Sequence, residues 1–488
     1  MIVGGLDLGT TGCKISLYNE QAELLHTYYK EYESVHKNGQ HEIDFNDVKN
    51  GFFSLLKSAV KEYRIDALGI TGFGETFAML DENDNILAPT MLYTDPRGEE
   101  ECKKICELMG EENLTLKTGV KPHSMYSISK ILWYKNNRKD VFSKCKRILL
   151  SEDFIVYTLT GNAQIDYSLA ARTGAFDIEK KCWITEIFDA LKVNVSFMSV
   201  PVAAGSIAGV VKAELKNELG IDYDITVVNG CHDQIAAMIG AGVFSRDNAM
   251  DGTGTVECIP VVLEKKPDNI DFYEYGYSVV PYIDNMFACY ALSYTGGATL
   301  KWFRDNFAKD KSYKQLDQQV EDEPSGILVM PHFAGGANPY MDNGSKAAMI
   351  GLTLEHTYTD IYKALMEGVT YEIMLNIEHL ENFGIVPQKL YATGGGSYSD
   401  VWLQIKADIL NRTIISLDAP EAGTCGTCMM VGVAVGVYKD LYQAKNIFVK
   451  EKKTFIPNPD TVKKYQQYYN AFKDIYKVVR PIVEKIDN

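Results

Sequence analysis

The residues best suited to chemistry stand near the start of the chain, in the stretch Asp7-Leu8-Gly9-Thr10-Thr11-Gly12. A short apolar segment precedes this stretch and an alternating segment follows it, so the pattern predicts a β-hairpin with a Gly/Thr turn. Glycines let backbone N–H groups approach an anion closely, and the threonine hydroxyls add further donors. Asp7 would repel a phosphate unless a cation lay between them, which indicates Mg²⁺ with a nucleotide. An ordinary Asp/Gly turn is the alternative interpretation.

A similar stretch, Asp251–Cys258, occurs in the second half of the chain. It contains Gly252 and Thr253, a second threonine, and then an alternating segment. A hairpin duplicated once in each half predicts two related lobes that grip one nucleotide. The match is short, so chance similarity is the alternative.

Two glycine-rich stretches each precede a predicted helix. Gly296 and Gly297 precede a helix predicted over 299–307, whose start can present N–H groups to a phosphate. Gly395 and Gly396 belong to a triple glycine, whose bare backbone suits a flat adenine or the edge of a sugar. The sequence has neither the GxxxxGK[ST] nor the GxGxxG signature, so nucleotide binding would depend on these glycines and the two hairpins.

Charged side chains follow the predicted strands of the first half. Glu75 follows one strand, and Asp95 with Arg97 follows another. Asp233 stands where a strand passes into a helix, near the positive helix end that favours its ionised form. Because α/β proteins carry ligand groups at such strand ends, we predict a site for a polar substrate. For Asp233, a helix N-cap is the alternative.

The composition limits the class of protein. A chain of 488 residues exceeds one hydrophobic core and predicts two domains. Hydrophobic content of 46% and charged content of 23% are typical of a soluble globular protein, and a net charge of −16 argues against a nucleic-acid partner. The sequence shows no basic leader before the first strand and no apolar run of roughly 18 residues, so we expect a cytoplasmic protein without a membrane partner.

The ten cysteines show no disulfide-like framework, which fits a reducing compartment. Cys425 and Cys428 form a CxxC spacing inside a run of small residues, and no partner pair is apparent, so close helix packing is predicted there. Helices are predicted over 45–63, over 360–383 as a long amphipathic helix, and over 461–485 with a solvated face.

Taken in order, these stretches resemble the FGGY family of carbohydrate kinases, whose fold is shared with actin, hexokinase and the heat-shock chaperone ATPases. The resemblance covers essentially the whole chain. It implies an α/β fold of two actin/hexokinase-like (ribonuclease H-like) lobes around a central cleft. It also implies a sugar-binding lobe over 1–244 that holds part of the phosphate site, and a nucleotide-binding lobe over 245–488. The matching motifs include Asp7–Thr11, Asp95–Arg97, Met125–Trp133, Gly230–Gln234, Gly252-Thr253, Gly296-Gly297, Ala348–Thr353, Thr393–Gly396 and Gln404–Leu410.

The resemblance also implies an activity, the ATP-dependent phosphorylation of a hydroxyl of a small sugar or polyol, with Mg²⁺. Asp233 would be the general base, and Asp7, with Asp233 as a second candidate, would hold hydrated Mg²⁺. The remaining roles follow by position. Phosphate contacts would come from Thr10, Thr11, Lys14, Gly252, Thr253, Gly296 and Gly297, adenosine contacts from Gly395, Gly396 and Ser399, and sugar contacts from Glu75, Asp95, Arg97, Met125, Tyr126 and Asp233.

The stretch Gly74-Glu75-Thr76 departs from the best-known members of the family. Xylulokinase-like sequences carry a Met-His pair here, and glycerol-kinase-like sequences carry an Arg-Glu pair followed by Thr. The chain keeps Glu and Thr but has no neighbouring arginine, and Met125 replaces the tyrosine of glycerol kinases. A missing arginine removes several donors and leaves space. A ketopentose, a ketohexose or a longer polyol is therefore favoured over glycerol.

Two alternatives belong to other classes. One is an actin-like or chaperone-like ATPase switch without a sugar acceptor, and the other is an inactive sensor with a kinase fold. The charged groups at strand ends argue against the first, and the intact Asp233 and hairpins argue against the second. The oligomeric state stays open, with a homodimer as one candidate.

Overall fold

The computed structural model describes residues 1–37, 39–418 and 421–487. The described part of the first half contains fifteen strands and ten α-helices, and six of the strands form one large sheet. The strands are β1 (Ile2–Leu8), β2 (Gly12–Asn19), β3 (Leu24–Glu31), β4 (Ser34–Lys37), β5 (Gln40–Ile43), β6 (Ala67–Gly72), β7 (Phe77–Leu80), β8 (Thr90–Met91), β9 (Arg147–Leu150), β10 (Gln164–Asp166), β11 (Phe176–Asp177), β12 (Cys182–Trp183), β13 (Val200–Val202), β14 (Ile207–Val210) and β15 (Thr226–His232). The helices are α1 (Phe45–Glu62), α2 (Glu99–Met109), α3 (Glu111–Thr118), α4 (Ser127–Asn137), α5 (Lys139–Phe142), α6 (Ser151–Thr160), α7 (Tyr167–Ala171), α8 (Thr185–Leu191), α9 (Ala213–Leu219) and α10 (Asp233–Gly240).

The second half is built around another large sheet. Its strands are β16 (Asn248–Thr253), β17 (Glu257–Leu263), β18 (Ser278–Pro281), β19 (Phe287–Ser293), β20 (Leu328–Met330), β21 (Ala348–Ile350), β22 (Lys389–Thr393), β23 (Thr413–Leu417) and β24 (Glu451–Phe455). Its helices are α11 (Asp271–Glu274), α12 (Gly297–Phe307), α13 (Tyr313–Asp317), α14 (Tyr358–Asn382), α15 (Asp400–Leu410), α16 (Ala422–Ala434), α17 (Leu441–Phe448) and α18 (Pro459–Asp487).

The first sheet has the strand order β14-β15-β6-β1-β2-β3. β1 and β2 form the predicted antiparallel hairpin, while β1, β6 and β15 run parallel to one another. In the register, Leu8 and His232 both pair with Gly72. The carboxyl ends of three neighbouring strands therefore lie side by side at one edge, where α/β proteins place ligand groups.

The second sheet, β18-β19-β17-β16-β22-β23-β24, repeats this arrangement. β16 and β17 form an antiparallel hairpin, β16 runs parallel to β22, and β22 runs parallel to β23. A final strand, β24, closes the edge antiparallel, as β14 does in the first sheet. The prediction of one such hairpin in each of two related lobes is confirmed.

Helices α10 and α16 cross at very short distance. A Cβ atom on Gly426 of α16 would lie 1.9 Å from the carbonyl oxygen of Ala236, and one on Gly240 would lie 1.9 Å from that of Ala422. A Cβ atom on Gly5 of β1 would lie 2.5 Å from the carbonyl oxygen of Thr424 in α16. Although α16 comes late in the chain, it packs on the first sheet, so the division into 1–244 and 245–488 stays a prediction.

The cysteine prediction is confirmed, because Cys425 and Cys428 are buried in α16 and carry free thiols. The helices at 45–63 and 360–383 are also found, as α1 and α14. The last helix is found as α18, which exposes one face, as predicted, and packs the other, including Tyr465 and Phe472, into the interior. One detail was wrong, because most residues of α14 are buried and this helix is a core element, not an amphipathic one. Among the described residues, no helix is both long and apolar enough to cross a lipid bilayer.

We expect Gly426→Ala to lower the free energy of unfolding by at least about 2 kcal/mol, because the added methyl group has no space between α16 and α10. Urea denaturation followed by circular dichroism would measure the loss. Gly51→Ala in α1 is the matched control, since the nearest atom there is a movable Tyr32 ring carbon at 3.0 Å. Equal effects of the two substitutions would contradict a rigid crossing.

Candidate active site

Asp7 and Asp233 lie at the same edge of the first sheet. Asp7 is near the carboxyl end of β1, and Asp233 is the first residue of α10, directly after β15. Because only β6 separates the two strands, the backbones at these positions are about 10 Å apart. Burial and the negative charge of Asp233 raise the pKa of Asp7 to about 7, while Lys14 lowers it. The two carboxylates therefore interact electrostatically across one site.

One oxygen of the Asp233 carboxylate has no hydrogen-bond donor among the described residues. Its Oδ1 atom is buried and accepts no hydrogen bond from the described residues, although Nε2 of His232 is 3.3 Å away. Burial raises the pKa of Asp233 to about 6, while the backbone N–H of Gln234 and the charge of Arg172 lower it. The alternative role as a helix N-cap is wrong, because the N-cap is His232 and no side chain caps this helix. Asp233 is thus an ionisable acceptor that remains available.

Glu75 is held by an arginine that the sequence analysis missed. Arg172 follows α7 and donates from Nε to Oε1 of Glu75 at 2.6 Å, with Nη2 in contact with the same oxygen. Its guanidinium also lies over the ring of Tyr126, 5.2 Å from the centroid. The inference that the site lacks an arginine beside Glu75 was therefore wrong. The sequence could have indicated this arginine, because Arg172 is the one charged residue in the run of small and apolar residues Leu169–Phe176.

A tyrosine beside this group connects it to the second half of the chain. The hydroxyl of Tyr126 lies 3.3 Å from Oγ of Ser278, a residue of the second half. The neighbouring Met125 is half-buried, and its backbone N–H donates to a histidine ring. Through the Tyr126–Ser278 contact, the second half of the chain therefore reaches the neighbourhood of Arg172.

Asp95 and Arg97 bind each other. Oδ1 of Asp95 accepts from the backbone N–H and Nε of Arg97 at 2.9 and 2.8 Å, and Oδ2 accepts from the backbone N–H of His41 at 2.7 Å. Arg97 also donates to Glu42 at 2.6 Å. Since protein donors already occupy both carboxylate oxygens, these two residues stabilise the loop after β8, and substrate contact by them stays a prediction.

The first hairpin keeps free donors at its turn. Within the part of the chain that the structure describes, the hydroxyls of Thr10 and Thr11 form no hydrogen bond, and Thr11 is exposed. Lys14 on β2 donates from Nζ to Oε2 of Glu421 at 2.5 Å, just before α16. An incoming phosphate would compete with Glu421 for this lysine.

A cavity of about 1150 Å³ opens in the second half. It brings together five of the predicted nucleotide-binding residues, and none of its wall comes from the first half. Gly252 and Gly296 are not in its wall. The predicted residues that line it are Thr253, Gly297, Gly395, Gly396 and Ser399, and the aromatic ones are Trp302, Tyr313, Tyr362, Tyr398 and Trp402.

The start of α12 differs from the expectation. The backbone N–H groups of Gly296 and Gly297 donate to the carbonyl oxygens of Thr255 and Gly254, at 2.9 and 2.8 Å. The two glycines are required by this approach, since a Cβ on Gly297 would lie 2.7 Å from the Gly254 oxygen. These N–H groups therefore fasten the second hairpin to α12 and are not free for a phosphate.

A buried charge cluster, also missed by the sequence analysis, lies behind the second hairpin. Lys406 of α15 donates to both carboxylate oxygens of Asp251, at 2.9 and 2.7 Å, and to the hydroxyl of Thr253 at 2.6 Å. Its Nζ is also 2.7 Å from Oε1 of Glu257. Burial raises the pKa of Glu257 to about 8, while Lys406 lowers it. Through these contacts, Lys406 fixes the position of β16 in the second hairpin.

Comparison with known proteins gives a consistent assignment. Residues 2–240 match the N-terminal domain of the FGGY family of carbohydrate kinases, and residues 252–435 match its C-terminal domain. A xylulose kinase of Lactococcus lactis is 28% identical over 97% of this chain and 96% of that protein. A gluconokinase of Bacillus subtilis is 25% identical over 97% of this chain and 95% of that protein, and a glycerol kinase of Thermococcus onnurineus is 26% identical over 97% and 96%.

Solved structures share the same fold. The ligand-bound xylulose kinase from Lactobacillus acidophilus superposes with a TM-score of 0.92 at 23% identity, over 99% of both chains. The gluconate kinase from the same organism superposes with a TM-score of 0.91 at 23% identity, again over 99% of both chains. These superpositions confirm the predicted α/β architecture of two actin/hexokinase-like lobes.

We expect Lys406→Met to lower the free energy of unfolding by about 3–5 kcal/mol, because it leaves the carboxylates of Asp251 and Glu257 buried without a cation. Urea denaturation would measure the loss. Lys464→Met is the control, since Lys464 forms an exposed ion pair with Glu323, and its removal should cost no more than about 1 kcal/mol. Similar losses for both variants would argue against a stabilising role of the buried cluster.

Proposed function

Because the chain belongs to the FGGY family of carbohydrate kinases, we propose that it transfers the γ-phosphoryl group of ATP to a hydroxyl of a small sugar or polyol, with Asp233 as general base. One observation carries the proposal. The buried Oδ1 atom of Asp233 lacks a hydrogen-bond partner among the described residues, and it lies at the strand edge that also carries Asp7 and Glu75.

Asp233 suits the role of a base that acts late in the reaction. The transition state of phosphoryl transfer is loose, so the base mainly orients the attacking hydroxyl and collects its proton as the new bond forms. With a pKa of about 6, Asp233 is mostly ionised at neutral pH and yet basic enough to accept a proton. The nearby charge of Arg172 helps to keep it ionised.

The residues present fit Mg²⁺ at the first hairpin. Asp7 and Asp233 are two like charges in one buried site, and a cation between them would relieve their repulsion. Mg²⁺ usually keeps several of its waters and binds through one or two carboxylates together with substrate phosphates, so two aspartates can suffice. Bound Mg²⁺ would neutralise charge on the phosphoryl oxygens. The free hydroxyls of Thr10 and Thr11, and Lys14 once it leaves Glu421, would donate to the same oxygens.

The cavity of the second half is proposed as the nucleotide site. Its volume of about 1150 Å³ is ample for a nucleoside triphosphate. Gly395, Gly396 and Ser399 would lie along the adenosine, and Thr253 and Gly297 would face the phosphates. Gly296 would act through the backbone that holds the second hairpin against α12, and a phosphate contact by Gly252 stays a prediction.

For the acceptor we propose a ketopentose, a ketohexose or a longer polyol in preference to glycerol. The supporting observation is the likeness to proteins named xylulose kinase over 97% of the chain. Glycerol is the second candidate, because Glu75 and Thr76 match the glycerol-kinase pattern and a glycerol kinase is among the relatives. Glu75, Tyr126 and Met125 would contact the sugar. A homodimer stays a prediction.

We expect the wild-type protein to release ADP from ATP only with some members of a panel of ketoses, polyols and glycerol. Asp233→Asn should lower this turnover by about 100-fold or more, because the amide cannot take the proton, while ATP binding persists. Asp224→Asn, an exposed change before β15, is the control and should leave turnover unchanged. ATP hydrolysis that no sugar or polyol stimulates would contradict the proposed kinase activity. Near-normal turnover of Asp233→Asn would contradict the assignment of Asp233 as general base.

We also expect kcat/KM for the sugar to fall as the pH drops below about 6. The pKa of Asp233 is raised to about 6, so the group is ionised above that pH and loses its ability to accept a proton below it. Initial rates between about pH 5 and pH 8 would measure this dependence. The residual activity of Asp233→Asn should not show this step. A flat wild-type profile would contradict the assignment.

A further inference from the structure

One N–H donor group of the Arg172 guanidinium, Nη1, has no hydrogen-bond acceptor among the described residues. Nε and Nη2 contact Oε1 of Glu75, whereas Nη1 is buried and has no hydrogen-bond partner among the described residues. Arg172 is only 7% exposed, so solvent does not readily satisfy this donor. A buried donor without a partner is costly unless another molecule supplies the acceptor.

A free acceptor lies in the same site. Oδ1 of Asp233 is likewise buried and has no hydrogen-bond partner among the described residues. The ring of His232 connects the two groups, because its Nε2 lies 3.3 Å from Oδ1 of Asp233 and a Cβ on Gly74 would contact both this Nε2 and Cγ of Arg172, at 3.3 and 3.0 Å. A donor and an acceptor left open together suit a ligand that has both an oxygen acceptor and a hydroxyl, as a sugar does.

The charges around this space favour an uncharged ligand oxygen. Glu75 balances the positive charge of Arg172, and both side chains of this ion pair are buried. A ligand carboxylate would therefore find no net positive charge at this pair, whereas a carbonyl or hydroxyl oxygen needs only the free N–H donor.

We propose that Nη1 of Arg172 donates to an uncharged oxygen of the acceptor, and that the Glu75–Arg172 pair makes the site select neutral sugars over sugar acids. This inference rests on the proposed function and names the class of its substrate. It separates the chain from its gluconokinase relatives in what it accepts, although the overall fold is the same. The selection comes from charge balance as well as shape.

Glu75→Gln gives the sharpest test. The amide oxygen can still accept from Nε of Arg172, so the guanidinium keeps an anchor while its positive charge is no longer balanced. We expect the wild type to have a kcat/KM for its best neutral sugar at least about 100-fold above that for gluconate. In Glu75→Gln this ratio should narrow by at least about tenfold, mainly through a lower KM for gluconate.

Two further variants complete the test. Arg172→Lys should raise the KM for the neutral sugar by about tenfold or more with little change in the KM for ATP, because lysine lacks the fixed fork of donors. Glu381→Gln breaks a matched Arg–Glu pair with Arg412 in the second half and should leave the ratio unchanged. Fructose, sorbitol and gluconate provide acceptors of equal carbon number. Thermal unfolding of each variant would confirm folding, and the ratio in Glu75→Gln decides alone if Arg172→Lys does not fold.

The outcomes separate the two proposals. If the wild type phosphorylates neither sugars nor sugar acids, the proposed function fails. If it phosphorylates gluconate best, or if Glu75→Gln leaves the ratio at its wild-type value, the kinase assignment stands and the selection by Glu75 and Arg172 is overturned.

Discussion

The close crossing of α10 and α16 is the constraint on which the rest of the structure depends. Glycines at the crossing let the two helices approach until a single methyl group would not fit. α10 begins with Asp233, and α16 begins beside Asp7, where a Cβ on Gly423 would be 3.3 Å from the Asp7 carboxylate. The packing that unites late and early parts of the chain thus also sets the relation between the two acidic groups of the site. Any loosening of this contact would move both groups.

The buried polar groups in and around the site differ in how completely they are hydrogen-bonded. Asp95 accepts hydrogen bonds from Arg97, and both carboxylate oxygens of Asp251 accept from Lys406, so these charges stabilise a loop and a hairpin. Around Asp233 the pairing among the described residues is incomplete, because Oδ1 of Asp233 and Nη1 of Arg172 have no hydrogen-bond partner. Buried polar groups are normally paired, and open ones occur where a ligand completes them. The contrast distinguishes residues that hold the structure from those proposed to meet the substrate.

The two parts of the proposed site lie in different halves of the chain. The first sheet carries the acidic edge, while the second half carries the large cavity with its glycines and aromatic side chains. Tyr126 and Ser278, and Lys14 and Glu421, connect the halves across the site. The Lys14–Glu421 pair is partly exposed, so it can open without disturbing the core, which suits the proposed cleft whose closure would exclude water during transfer.

The sequence by itself determined what is local. A hairpin needs only its own turn and alternating strands, so both hairpins could be predicted, and a strand followed by glycines or an acidic residue sufficed to indicate Glu75, Asp233 and Gly395. Tertiary structure decided the contacts between distant residues. Arg172 reaches Glu75 across 97 positions and Lys406 reaches Asp251 across 155, while the N–H groups of Gly297 and its neighbour turned out to be occupied. No local pattern specifies such partners, because the pairing of charges depends on which surfaces the packed helices bring together in a medium of low dielectric constant.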